Sequence, residues 1–445
     1  MSDQPRSPAT ESEVPAEPAA PGPPQATARQ ATYRQVFAQG EFRGIFSAAA
    51  LSWFGDYVAR AAITALVFQI THSALASAAA FALSYLPWLA GGPVLAALAD
   101  RYPYRRVMII CDLARMVLVG FVAIPDIPLP LVFALLFATA MLSPPFEAAR
   151  SAVLPQVLSG ERYVLGVGIL GSSLQAFQIL GYVTGGVLLA VDAHLALGLN
   201  AATFGLSAVI LALFVRHRPS QTPEGTPRHI LRETGEGISI VFGRPVLRAI
   251  ALVVLAGLTF IAVPEGLAVG WAAVVNPGGR SQGLIMAAAP VGMALGGILL
   301  PRLMSPEVRR RALRPLVILA PLALVPALLN PPLPVVLVMV ALAGFMFGGF
   351  NPLANALFVQ ALPASHRARA FGVMAAGMQL TQGAALLAAG SLTQFARVPY
   401  VIGAWCAGGA LLMVVASAAW PAPDVINAAI AETQASNEAA AKLAG

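Results

Sequence analysis

The chain has 445 residues, of which 58% are hydrophobic and only 11% are charged. Soluble domains carry about 25% charged residues, so an ordinary soluble fold is excluded and a polytopic membrane protein is expected. The net charge of +7 does not point to nucleic acid, because the arginines lie in short loops between apolar runs and form no basic stripe.

The chain opens on a stretch rich in Pro, Ala and Glu without the apolar core of a signal peptide. Residues 1–40 are therefore expected to be a disordered cytosolic tail. A helix needs ~20 apolar residues to cross the hydrocarbon core, and twelve segments qualify. They lie at roughly 43–69, 74–99, 107–124, 130–148, 163–191, 195–215, 247–274, 282–303, 313–330, 334–358, 368–392 and 398–420. The expected fold is an all-α membrane protein of twelve transmembrane helices in two pseudo-symmetric six-helix bundles, 41–215 and 247–420. A cytosolic linker at 216–246 joins them, and a cytosolic tail follows at 421–445. Within the linker, residues 231–242 read as an amphipathic helix on the inner leaflet. The Ala-rich stretch from Asp424 reads as a short helix or frayed tail with no assigned role.

Arginine placement orients the spans. Arg101, Arg105 and Arg106 follow span 2, Arg216 to Arg248 surround the linker, Arg302 to Arg314 follow span 8, and Arg367 and Arg369 precede span 11. The opposite side carries only Arg280 and Arg397. Both termini are thus expected in the cytosol, in a multi-pass protein of the cell membrane with the lipid bilayer as its surroundings. Cys111 and Cys406 lie in apolar spans and offer neither a disulfide frame nor a metal site. The chain also repeats itself at an offset near 205 residues. Arg105-Arg106 falls on Arg310-Arg311, and the Gln175/Gln178 pair of span 5 matches Gln379/Gln382 of span 11. Two halves in the same orientation form a parallel repeat.

The loop after span 2 reads Ala96-Ala97-Leu98-Ala99-Asp100-Arg101-Tyr102-Pro103-Tyr104-Arg105-Arg106. With twelve spans, a parallel repeat and a long central linker, it resembles the major facilitator superfamily, whose loop motif is written G-x-L-A-D-R-x-G-R-R. Asp112-Leu113-Ala114-Arg115, Ala149-Arg150 through Pro155, and Asn200 through Ser207 resemble its branch of macrolide-efflux and enterobactin-exporter proteins. The chain departs from the family pattern at several points. Ala96 and Pro103 replace the two glycines of the loop motif. In span 5 the antiporter signature G-P-x-x-G-G becomes Gly181-Tyr182-Val183-Thr184-Gly185-Gly186, and residues 134–142 of span 4 carry no arginine.

Several polar residues interrupt the apolar runs. Asp56 sits ~18–20 Å into span 1 at 1.5 Å per residue, where a charge costs roughly 2.5–3.5 kcal/mol. Arg60, one turn on, could pair with it statically, or the pair could open and make Asp56 a proton-coupling site. Glu265 follows Pro264 in span 7, nearer the outer end, as an outer proton site, a gate or a simple interfacial residue. Gln175, Gln178, Gln379 and Gln382 either hold helices together or line a substrate cavity. Trp53 and Tyr57, with Phe54, Tyr85, Trp88, Phe177 and Phe204, are candidates for aromatic cavity walls. Gly181, Gly185 and Gly186 permit close helix packing. The resemblance implies that Asp100, Arg101, Arg105 and Arg106 form a conformational latch. Asp112 with Arg115, and Glu147 with Arg150, would be supporting ion pairs near the cytosolic rim.

Gly344 to Gly349 lacks the G-K-[ST] of a phosphate-binding loop, which argues against an ATP-driven pump. No nucleophile–base constellation is present, so no enzyme is expected and no cofactor beyond a proton gradient as energy source. The resulting reading is a secondary transporter, monomeric, exporting an amphiphilic small molecule such as an antibiotic or siderophore in exchange for protons. A facilitator or importer on the same scaffold, and a non-transporting receptor, are the alternatives.

Overall fold

The computed structural model describes residues 31–87, 102–218, 230–277, 279–363 and 366–444, and all regular structure among them is helical. The first half comprises α1 (Tyr33–Phe37), α2 (Gly40–Thr71), α3 (Ala74–Ala82), α4 (Tyr104–Val122), α5 (Leu129–Met141), α6 (Ser143–Val157), α7 (Glu161–Leu188) and α8 (Ala193–Phe214). After α9 (Ile230–Gly243) the second half follows: α10 (Pro245–Gly266), α11 (Ala268–Val275), α12 (Gly279–Leu303), α13 (Pro306–Leu322), a 3-10 turn (Val325–Leu329), α14 (Leu333–Gln360), α15 (Arg367–Leu392) and α16 (Val398–Ala418). The chain closes with α17 (Pro423–Ala444).

Nine helical runs among the described residues are long and apolar enough to cross a membrane. Neither α2 nor α4 is among them, because Asp56 and Arg60 break the apolar run of the first and Arg105, Arg106, Asp112 and Arg115 that of the second. The second expected span lies partly outside the described residues. Where spans were expected, helix ends agree to within a few residues except at span 9, whose helix starts at Pro306 instead of 313, and at span 4. Span 4 does not stop near residue 148; it runs as Leu129–Val157, broken only at Leu142 ahead of Pro144 and Pro145.

In the first half α8 packs against both α2 and α4, and α2 also packs against α7. Gly55 lets α2 and α8 meet, since a Cβ there would lie 2.1 Å from Thr203 Oγ1. In the second half α12 and α14 make the most intimate crossing. Gly292 and Gly296 on α12 face Gly344 and Gly348 on α14, and a Cβ at Gly292 would fall 1.9 Å from the Ala341 carbonyl oxygen. Two small-x-x-x-small stripes thus place backbone on backbone, the favoured packing where lipid gives no hydrophobic drive between helices. The glycines of Gly344 to Gly349 serve this contact.

The halves meet through α7 against α12 and α3 against α15. The repeat that relates span 2 to span 8 and span 5 to span 11 exchanges these two contacts, so the seam itself has two-fold pseudo-symmetry. Among the described residues these contacts lie toward the end of the bundle bearing the α2–α3 and α7–α8 turns, called distal here; α1, α9 and α17 lie at the proximal end.

Three segments differ from expectation. Residues 33–37 of the N-terminal tail form a helical turn with a Thr32–Gln35 capping box, and Val36 is completely buried. Phe37 packs edge-on against Phe42 and Phe46 at 5.4 and 5.3 Å. The linker helix α9 packs against α15 and α10 instead of lying on the bilayer alone. Gly237 meets the Arg369 backbone there, and Glu236 pairs with Arg369 at 2.9 Å. The tail from Asp424 forms a 22-residue helix. Its Thr433, only 3% exposed, donates to the Ala361 carbonyl at 3.2 Å. Apolar side chains on one face of each segment found a partner groove, which composition alone does not reveal.

Candidate functional site

A cavity of about 480 Å³ lies between the halves, walled by residues of α2, α3, α4, α5, α6, α7 and α8 on one side and α10, α12 and α15 on the other. Its wall carries three carboxylates, Asp56, Glu147 and Glu265, and three guanidinium groups, Arg60, Arg115 and Arg150. Ionised groups at membrane depth are tolerated where they face a wet cavity or one another, and both conditions hold here.

Each arginine is held against aromatic faces. Arg60 sits over Tyr57 at 5.1 Å, Phe81 at 5.7 Å and Tyr85 at 5.9 Å. Arg115 lies between Phe146 at 5.0 Å and Phe204 at 5.4 Å, and Arg150 lies 4.8 Å from the Trp53 ring. The quadrupole of a ring face attracts a cation, by about 2 kcal/mol or more when desolvated. Arg150 also pairs with Glu147. Arg115 pairs with Asp112 at 3.6 Å, while Ser207 donates to the other Asp112 oxygen at 2.6 Å. Asp112 is completely buried between α4 and α8 and Arg115 is 3% exposed.

The expected Asp56–Arg60 ion pair is not made: no nitrogen of Arg60 comes within 4.0 Å of Asp56 among the described ion pairs. One helical turn brings their Cβ atoms close, but the cage of Tyr57, Phe81 and Tyr85 draws the guanidinium away. Asp56 therefore faces the cavity, itself partly buried. Glu265 is not an interfacial residue at the outer end. It is 9% exposed, lines the cavity, and accepts a hydrogen bond from Tyr182 of the other half.

Trp53, Tyr57, Gln178, Gln379 and Gln382 line the cavity, as does Tyr85. Gln175 does not; its amide nitrogen is buried without a hydrogen-bond partner. Phe204 is completely buried beneath Arg115, and Phe54 packs on an apolar cluster of the first half. Neither Phe54, Phe177 nor Phe204 reaches the cavity. Gly181 and Gly185 seat α7 on α2, and Gly186 meets Gly283 of α12 across the seam. Glu147, Arg150 and Arg115 were expected at the rim but stand in the cavity wall. Span 4 thus supplies a cavity arginine after all, one that lies beyond the expected end of the span at residue 148. Among the latch residues, Arg105 donates to the Ala212 carbonyl and Arg106 is exposed. Asp100, Arg101 and the aromatic Trp88 lie outside the described residues. Gln282 and Phe81 were missed by the sequence reading; a glutamine beside Arg280 and Ser281 looks like the edge of a span.

Two halves related by a parallel repeat, with a charged cavity at their junction, is the architecture of a carrier. The Major Facilitator Superfamily profile matches residues 45–329 and 266–443. The chain belongs to the Major Facilitator Superfamily. Within it, the multidrug efflux pump Tap of Mycobacterium tuberculosis is 28% identical over 373 residues, which cover 77% of this chain and 84% of that protein. Tap of Mycolicibacterium fortuitum is 26% identical over 376 residues, covering 79% and 89%. The peptide transporter POT in complex with sulfate shares the fold at a TM-score of 0.65, with 15% identity over 87% of this chain and 95% of the other. A bacterial homologue of the lysosomal transporter Spinster, inward-facing and unoccupied, does so at 0.62, with 15% identity and 88% and 97% coverage. This superfamily member is a multi-pass membrane transporter and not an enzyme.

Proposed function

We propose that the chain is a proton-coupled exporter of amphiphilic small molecules that works by alternating access, residues 41–215 rocking against residues 247–420 about the central cavity. The observation that carries this reading is Asp56. Among the described residues it is the cavity carboxylate that makes neither an ion pair within 4.0 Å nor a hydrogen bond, whereas Glu147 pairs with Arg150 and Glu265 accepts from Tyr182. A carboxylate in that setting binds a proton or a cationic group of the substrate, one at a time, which is the competition that drives exchange. The Trp53 and Tyr57 rings beside it suit the apolar body of such a compound. The Tap relatives, described as multidrug efflux pumps, support the outward direction and the substrate class. Both termini lie in the cytosol in this reading, and the latch loop with Asp100 and Arg101 closes the proximal side. The transporter acts as a monomer and takes its energy from the proton gradient.

The test is substrate-stimulated proton movement in proteoliposomes across a panel of amphiphilic antibiotics and siderophores. Coupled proton movement is expected with the native protein and none with Asp56→Asn, which still inserts and folds. Compound flux without proton movement in the native protein would make it a facilitator and remove the coupling role from Asp56.

A further inference from the structure

Among the described residues, hydrogen bonds at two buried places join the halves at the distal seam. On α12, Gln282 is 2% exposed, and its amide nitrogen donates to the Ala61 carbonyl at 2.9 Å and to Thr64 Oγ1 at 2.8 Å, both on α2. On α7, Tyr182 is completely buried, and its hydroxyl donates to Glu265 on α10. The edge of the Tyr57 ring supports the Tyr182 ring at 5.1 Å. Between these contacts the two backbones touch: a Cβ on Gly283 would lie 2.5 Å from the Tyr182 carbonyl oxygen and 2.6 Å from Gly186 Cα. Tyr182 stands where the antiporter signature has proline. A proline there has no hydroxyl and makes no such bond.

We infer that Tyr182 and Gln282 are the gate residues of the distal side, two hydrogen-bonded bolts that hold the halves closed and must both break for the cavity to open there. The chemistry suits a reversible gate. Each bolt is a small number of hydrogen bonds whose net worth is modest, because water replaces the partner on opening, while the partner left buried without one is strongly disfavoured. Thr64 keeps an intrahelical bond to Arg60 and Ala61 when Gln282 leaves, so α2 is not damaged by opening. Glu265 belongs to both gate and cavity wall, so a cation or proton reaching it from the cavity competes directly with Tyr182. The gate rests on the alternating-access part of the proposed function and on neither the proton nor the export direction.

The experiment is pulsed electron resonance between spin labels at Val191→Cys on the first half and Phe395→Cys on the second, both highly exposed distal positions, with Cys111 and Cys406 replaced by alanine. A control pair, Val191→Cys with Ile124→Cys, lies within one half. Tyr182→Phe and Gln282→Leu are each expected to raise the long-distance, distal-open population about tenfold relative to the native protein, with the control distance unchanged. Thr64→Val should produce a shift in the same direction as Gln282→Leu, and none on top of it. Unchanged distances in Tyr182→Phe, a variant lacking a single oxygen, would overturn the gate even if Gln282→Leu failed to fold. Because the distances are read without gradient or substrate, a facilitator would show the same shifts, and failure of proton coupling would leave this result standing.

Discussion

Replacing Asp112 with alanine tests how the charged cavity wall is supported. Asp112 is completely buried, pairs with Arg115 at 3.6 Å and accepts from Ser207 at 2.6 Å. Removing the carboxylate leaves the Arg115 charge, itself 3% exposed, against the Phe146 and Phe204 faces without its ion-pair partner. Breaking one side of such a pair costs about 3–5 kcal/mol, whereas exchanging both members for apolar groups of similar size is often close to neutral. The double change Asp112→Leu with Arg115→Met also loses the cation–π contacts, about 2 kcal/mol. It should therefore cost less than Asp112→Ala alone, and less than the sum of Asp112→Leu and Arg115→Met measured singly by at least about 1 kcal/mol. Unfolding of the purified protein in detergent, followed by tryptophan fluorescence, gives both values. A cost below about 1 kcal/mol for Asp112→Ala, or a double change equal to the sum of its singles, would refute the argument that this pair is a desolvated unit.

Gly181→Leu should lower the yield of folded protein by size-exclusion chromatography, since even a Cβ there lies 2.5 Å from Tyr57 Cβ and 2.9 Å from the Phe54 carbonyl oxygen; overpacking of this kind costs about 1–3 kcal/mol or more. Trp53→Ala removes the ring beneath Arg150 at 4.8 Å and should weaken binding of aromatic substrates about tenfold while leaving the melting temperature within a few degrees. Deleting residues 424–445 uncovers the Ala361 carbonyl that Thr433 satisfies and the apolar surface covered by Ile426 and Ile430, so the truncated protein should melt lower. Glu41→Gln weakens the partly buried, bidentate pair with Arg218 at 2.9 and 2.7 Å near the proximal surface and should cost about 1–3 kcal/mol; a loss below about 0.5 kcal/mol would show that the linker is anchored no more firmly than an exposed pair allows.

Span positions, the alternation of arginine-rich and arginine-poor loops, and the parallel repeat could be read from the chain alone. Partition of a segment into a bilayer is close to a sum over its own residues, and a repeat is visible wherever the residues recur. The cavity residues Asp56, Tyr57, Gln178 and Gln382 were legible for the same reason, since each is a costly interruption of an apolar run. What those residues touch was not. Arg60 has Asp56 one turn away in sequence and yet lies among Tyr57, Phe81 and Tyr85. Arg150 lay past the expected end of its span and stands in the cavity wall. Gln282 and Tyr182 meet partners 218 and 83 residues distant. Local composition sets which segments enter the membrane. The partner of each buried polar group depends on which helix faces it, and glycine stripes such as Gly292/Gly296 on Gly344/Gly348 set that by how closely they let backbones approach.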